Sequence, residues 1–474
     1  MTGPELRPID LGRVHLIGVG GAGMSAIAAL LAARGVPVSG SDAADGPALP
    51  ALRAAGVDVH VGHEASLVDD VDTVVVSSAV RETNPELARA RERGLRVLHR
   101  SEALASLMVD RDAVAVAGAH GKTTTSAMIA TALLHAGADP SFAIGGTVFS
   151  ADGPLGGGRD GGGPAFVAEA DESDGSFLAY APLVAVVTNV EPDHLDHYGS
   201  TEAFEDVFVA FTGRIRPGGT LVACADDAGA VRLVDRVRSS LAERDVSVVT
   251  YGSAPGADVV VGELHPDGDR WSFTLTADDV TTTVRLAFPG RHNALNAAAA
   301  WATARCLGVP DAAEGLGAFR GTGRRFEDRG TVGGVRVVDD YSHHPTEVAA
   351  LLRGARSVVG DGRVVILFQP HLYSRTRTFA DEFGAALDLA DVVVVTDVYG
   401  AREDPDPTVT GAMLVDRVPT PDKATFVPDR LDAAHAVAAA ARPGDLVLTV
   451  GAGDVTQLAA VVLDDLGADG RAGA

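Results

Sequence analysis

Short apolar runs, each closed by a glycine-bearing turn and followed by a longer stretch with helical spacing, recur along most of this chain. In the first segment they predict strands at 14–18, 36–40, 71–77 and 96–99, with helices at 24–34 and 85–93. Such alternation is the pattern of a parallel sheet wound on both faces. A helical stretch, SEALASLMV, ends near Asp110, and the apolar run Ala113–Ala117 starts a second unit. That unit continues through FVAEADESD and LVAVVTNVEPDH, two buried strands that run into acidic or histidine-bearing loops. Residues 258–288 change character: Val, Thr and Phe with turns at HPDGD and ADD predict antiparallel strands. The Ala-rich GRHNALNAAAAWATARCLG returns to helix. After GTGRRFEDRG a third series runs through VRVVDDY, RVVILFQPH, ADVVVVTDVYG and DLVLTVGAGD. The expectation is an α/β chain of three domains, at 1–110, 111–322 and 323–474. One low-complexity stretch, DGPLGGGRDGGGP at 152–164, reads as a flexible surface loop.

Composition narrows the function. With 46% apolar residues the 474-residue chain can build several cores. Its net charge of −25 argues against nucleic acid as a partner, because a phosphate backbone demands basic faces. Any anionic substrate must therefore be held by local arginines and helix ends. The two cysteines, Cys224 and Cys306, form no disulfide framework, which suits a reducing compartment. Neither an apolar signal core nor a membrane-length apolar run occurs, so the expectation is a cytoplasmic protein without membrane insertion.

Against this background Lys122 stands out, since the chain has only one other lysine, Lys423. It lies in AVAVAGAHGKTTTSAMIA, which reads as strand, tight loop and helix. That arrangement aims backbone N–H groups and the positive end of a helix at an anion. Lys122 is then placed for the β- and γ-phosphates of a nucleoside triphosphate, and the Thr123 hydroxyl for Mg²⁺. The loop departs from G-x-x-x-x-G-K-[ST] in having Val116 at the first glycine position.

A second glycine loop, GVGGAG at Gly18–Gly23, lies between a strand and a helix, with Asp42 closing the next strand. The spacing suits a dinucleotide or a nucleotide sugar and does not choose between them. Glu169 and His194 both follow apolar strands of the second unit, where ligands of open parallel sheets gather. A carboxylate and an imidazole there suit metal ions, and two ions suit the heavy negative charge of a triphosphate beside a carboxylate. Asp171, Glu172 and Asp174 are weaker candidates in the same loop. In the third unit, RRF, DDYSHHP and FQPHLYSRTR cluster arginine, histidine and tyrosine at strand ends, as anion recognition and proton handling require.

Taken in order, HLIGVGGAGMSAIA, GAHGKTTT, AEADESD, TNVEPDHLDHY, GRHNALNA, GTGRRF, DDYSHHPTEV, FQPHLYSRTR, DVYGAREDP and GAGD resemble the Mur ligase family, the ATP-dependent amide-forming enzymes of peptidoglycan precursor synthesis. The resemblance implies a Rossmann-like N-terminal domain for a UDP-sugar, a central ATPase domain, and a Rossmann-like C-terminal domain that closes over the substrates. It implies ATP and Mg²⁺ as cofactors, and UDP-N-acetylmuramate and L-alanine as the substrates joined. Carried over by position, Gly20, Gly21 and Gly23 would face the UDP diphosphate, with Ser41, Asp42, Ser77 and Ser78 around the rest of the nucleotide sugar. Gly118, Ala119, His120, Gly121, Lys122, Thr123 and Thr124 would hold ATP, with Asn293 and Asn296 on the adenine side and Arg325 and Asp340 completing the site. Thr123 and Glu169 would share one Mg²⁺ and His194 a second. Tyr341, His343, His371 and Arg375 would line the amino-acid site, and Lys122, His343 and Arg375 carry the chemistry, with His344 the alternative base. Ala119 stands where the family often has Thr, and Leu372 where it often has Arg.

Three rivals remain. A family member that attaches recovered peptide to the same nucleotide sugar departs from GGAGM in its first loop, which this chain keeps. A nicotinamide dehydrogenase would need no second nucleotide loop at Gly118. A non-catalytic ATP-gated binding protein would leave the histidine and arginine clusters of the third unit without a task.

Overall fold

The computed structural model describes residues 10–150, 153–267, 270–401 and 403–472. It is an α/β fold on three large sheets, mostly parallel. The first sheet has five parallel strands, in spatial order Asp58–Val61, Val38–Asp42, Val14–Ile17, Thr73–Val76 and Arg96–His99. The order reverses on either side of Val14–Ile17, a strand buried along its whole length. A crevice therefore opens at its carboxyl end, where Gly18 turns the chain at φ 79° into the Ala22–Ala33 helix.

The second sheet centres on Asp112–Ala117, flanked by Ala165–Glu169 and Val184–Val187. Glu169 pairs with Val116 and Val187 with Ala117, so three strands end together just below the Lys122 loop. Runs of Val and Ala without polar alternation are what a strand covered on both faces requires. The sheet continues in parallel through Thr220–Cys224 and Ser247–Gly252 to Val259–Val261. It then turns antiparallel with Arg270–Ala277 and Val280–Leu286, as the Val/Thr pattern predicts. Of the HPDGD turn, residues 268 and 269 lie outside the described residues.

The glycine-rich stretch corrects an expectation. Residue 152 lies outside the described residues, but Gly158–Arg159 forms an antiparallel edge strand on Ser141–Ala143, not a loose loop. Its glycines permit close packing: a Cβ on Gly158 would lie 2.3 Å from the Ala26 carbonyl oxygen, and one on Gly163 would lie 1.9 Å from that of Ala138. Arg159 ties the segment down by donating to Asp139 and to the Pro140 carbonyl at 2.9 Å. Arg34 of the first sheet's helix reaches across to Asp160 at 3.0 Å. First and second sheets belong to one compact unit, ending at Thr322.

The second compact unit comprises Gly323 onward together with Phe288–Asn293. Its sheet runs Glu327–Val332, Val335–Asp340, Leu446–Val450, Val364–Phe368, Val392–Val395 and Ala424–Phe426, parallel except for the first pairing. One face packs on helices through Leu352 and Phe383, the other through Val437 and Val462. Among the described residues no helix is long and apolar enough to cross a membrane.

Candidate active site

In the first unit, the buried Asp112–Ala117 strand delivers the chain into Gly118, and the Lys122–His135 helix begins after Gly121. Both glycines are needed. Gly118 has φ 132°, and a Cβ there would lie 2.2 Å from the Thr188 hydroxyl; Gly121 caps the helix at φ 83°. The loop is bracketed from the neighbouring strand: His120 N–H donates to Asn189 Oδ1 and Asn189 Nδ2 to His120 O, both at 2.9 Å. Thr188 Oγ1 donates to the same carbonyl at 2.6 Å. Sequence reasoning passed over Thr188 and Asn189; their place directly after a strand paired with the loop strand was the available signal. His120 also pairs with Glu191 at 2.8 Å.

Lys122 curls back over this loop. Its ammonium donates to Gly118 O at 2.7 Å, Ala119 O at 3.3 Å and Glu172 Oε1 at 2.9 Å. Burial opposes its charge, but Glu172, Asp171 and Glu169 outweigh burial and hold its pKa above the ordinary lysine value. Burial pushes the Glu172 carboxyl up to about 7 against the pull of Lys122. Asp171 is kept below the carboxylate range by Arg100 and Lys122, against the desolvation that would raise it. Thr123 and Thr124 occupy the first turn of the helix. Asn296 abuts the loop, its Oδ1 2.8 Å from where a Gly121 Cβ would stand. Asn293 is buried and donates to Pro289 O at 2.8 Å.

Glu169 ends its strand beside this loop, and His194, at φ 52°, brings Nε2 to 3.9 Å from Glu172 and 3.5 Å from Asp193. Glu172 Oε2 is buried and accepts no hydrogen bond. The carboxylates of Glu169 and Glu172, with His194 and the hydroxyl of Thr123 in the first turn of the helix, form a donor set that fits a hard divalent cation. Glu172, a weaker candidate from sequence, is the carboxylate closest to the lysine.

At the first glycine loop, Gly20 N–H donates to Asp42 Oδ2 at 2.9 Å. Asp42 thus braces the loop itself. Ser41 is fully buried; its hydroxyl donates inward to Glu86 at 2.6 Å, while its carbonyl accepts from Gly18 and Val19 at 2.8 and 2.9 Å. Gly21 and Gly23 open the helix, and Ser77 and Ser78 follow the adjacent Thr73–Val76 strand at the same end of the sheet.

In the second unit, Asp340 ends its strand buried, accepting from Phe326 N at 2.7 Å and Ser342 N at 2.8 Å; burial raises its pKa. Arg325 reaches Glu347 at 3.6 Å. Arg324 and Arg325 both lie over the Tyr341 ring, at 4.8 and 5.2 Å. A chain of rings follows: Tyr341 to His343 at 5.2 Å, His343 to His371 at 5.7 Å, and His371 stacked on Tyr399 at 5.9 Å. Arg375, 6% exposed, brings Nη1 to 3.5 Å from His371. The four expected amino-acid residues are therefore gathered, and Tyr399 joins them. Burial, with Arg375 and His371, pushes His343 down to about 3 despite Glu347. Its Nδ1 faces Tyr341 O at 3.0 Å, so the proton sits there and Nε2 is left as acceptor. Leu372 is buried and opens the Tyr373–Thr378 helix at φ 70°, a structural position.

Comparison with known proteins defines the class. Family profiles described as "Mur ligase family, catalytic domain", "Mur ligase middle domain" and "Mur ligase, glutamate ligase domain" match residues 13–111, 116–304 and 324–453. The chain belongs to the Mur ligase family. Within it, the chain is 60% identical to the UDP-N-acetylmuramate–L-alanine ligase of Kineococcus radiotolerans over 474 residues, spanning 98% of this chain and 99% of that one. It is 52% identical to the ligase of the same name from Thermobifida fusca, spanning 96% and 97%. Among solved structures, UDP-N-acetylmuramate-alanine ligase from Thermotoga maritima superposes with TM-score 0.79 at 29% identity, covering 96% of this chain and 99% of that one. A murein peptide ligase from Psychrobacter arcticus superposes with TM-score 0.70 at 26% identity, covering 96% and 99%.

Proposed function

We propose that this chain joins L-alanine to the lactyl carboxylate of UDP-N-acetylmuramate at the expense of ATP, in peptidoglycan precursor synthesis. The observation that carries the reading is end-to-end identity of 60% to a ligase of that name. Residues 1–110 take the nucleotide sugar, 111–322 take ATP and 323–474 take the amino acid. The lactyl carboxylate attacks the γ-phosphorus, giving an acyl phosphate and ADP; the alanine amine then attacks the acyl carbon and phosphate leaves. Lys122, already held among carboxylates, neutralises charge on the transferring phosphoryl group. His343, neutral with Nε2 open, accepts a proton or hydrogen bond near the amine, and Arg375 grips the alanine carboxylate through its planar fork. Thr123, Glu169 and His194 would hold Mg²⁺, with Glu172 beside them, and the metal when bound supplies further charge neutralisation at the phosphates. Work on ATP and a nucleotide sugar belongs in the cytoplasm.

Phosphate release should require both UDP-N-acetylmuramate and L-alanine. Equal release with neither present would leave a plain ATPase, and release with a murein peptide but not with alanine would move the chain to the peptide-ligase branch. Glu169→Ala and His194→Ala should each raise the Mg²⁺ concentration needed for half-maximal rate; unchanged titration curves in both would refute the metal assignment.

A further inference from the structure

Arg100 opens the Arg100–Leu107 helix directly after the last strand of the first sheet. Its start is fixed by His99, whose N–H donates to Glu102 at 2.7 Å and whose ring lies 3.6 Å from Asp174. From there the guanidinium spans two loops. Nη1 lies against Gly23, 2.8 Å from where a Cβ would stand. Nη2 donates to the Asp171 carboxylate, next to the Glu172 that holds Lys122. The side chain keeps 24% exposure, so it is reachable.

The first loop needs such a cation. One of its donors, the Gly20 N–H, is already engaged by Asp42, which puts a carboxylate beside the place where a diphosphate would lie. The net charge of −25 offers no general attraction for an anion either. A planar guanidinium has five donors and can hold a phosphate and a carboxylate together. We infer that Arg100 binds the diphosphate of the nucleotide sugar while remaining paired to Asp171, so that one side chain ties the first nucleotide loop to the acidic loop of the second. This rests on the reading of the Gly20–Gly23 loop as a UDP-sugar site.

Calorimetric titration of the full-length protein with UDP, UDP-N-acetylglucosamine, UDP-N-acetylmuramate and ADP separates the possibilities. Arg100→Gln should weaken all three uridine nucleotides by roughly tenfold or more, the scale of lost charged hydrogen bonds, and leave ADP unchanged. Arg100→Lys should recover part of the loss, because it restores charge without the fork. Asp171→Asn, which removes the partner and keeps the cation, should bind UDP as tightly as the parent or tighter. Loss confined to UDP-N-acetylmuramate would place Arg100 on the lactyl carboxylate and overturn the diphosphate assignment. Equal weakening of UDP by Asp171→Asn and Arg100→Gln would reduce the pair to a structural brace. A parent that binds ADP but no uridine nucleotide would remove the UDP-sugar reading itself, whatever the variants do.

Discussion

On the proposed reading much of the chemistry is concentrated in single residues, Lys122 first among them. Lys122→Met keeps the aliphatic stem and deletes the charge, and should lower kcat by several hundredfold, about 3–4 kcal/mol of transition-state stabilisation. The fold should survive, since Glu172, already raised to about 7, can take a proton when its partner is lost. Rate within tenfold of the parent, in a variant of unchanged melting temperature, would remove Lys122 from the phosphoryl group. His343 makes a second prediction through stability. Its folded pKa of about 3 lies below the ordinary histidine value of 6.5, so between those values the unfolded chain binds a proton that the folded chain refuses. Its contribution is fully present above pH 6.5 and is lost as pH falls toward 3. His343→Gln should therefore lose less stability than the parent between about pH 6.5 and 4; parallel melting curves across that range would contradict the desolvated, neutral imidazole. At this scale the sequence announced residue types well and orientations poorly. Lys122, Tyr341, His371 and Arg375 declared themselves by motif, but spacing alone says nothing of where a hydroxyl turns, and Ser41 turns inward to Glu86. Thr188 and Asn189 went unread because their role is to hold another loop's backbone, which leaves no compositional mark.

Elements were legible wherever an apolar run met a glycine turn, because burial on both faces of a strand leaves a run that little else produces. The antiparallel part of the central sheet was equally readable from its Val, Thr and Phe content and the turns between. The segment near 158 was not. A missing Cβ serves a flexible chain and a tightly packed one alike, and only the neighbours decide between them. Gly158→Ala tests the outcome: its new Cβ would meet backbone, which cannot rotate away, at 2.3 Å. The overpacking should cost about 1–3 kcal/mol and lower Tm by a few degrees. A Tm equal to the parent's would return the segment to the class of loose loops.

Over the whole molecule, charge opposes function. On the proposed reading a chain of net −25 admits a triphosphate and a nucleotide diphosphate sugar, so its general field repels both and Lys122 and local arginines would have to receive them. Raising ionic strength from about 20 to about 150 mM should then lower the KM for UDP-N-acetylmuramate, because screening weakens the long-range repulsion more than the short contacts. A KM that rises steeply with salt would mean that the site's own positive field dominates. The Gly158–Arg159 strand has a bearing on the molecule's behaviour in a crowded solution. It covers the outer edge of Ser141–Ala143, whose main-chain donors and acceptors would otherwise face outward in a row. An open edge of that kind is a template for another chain. Two residues of short, antiparallel backbone thus close one flank of the central sheet to self-association, a protective task that asks nothing of catalysis.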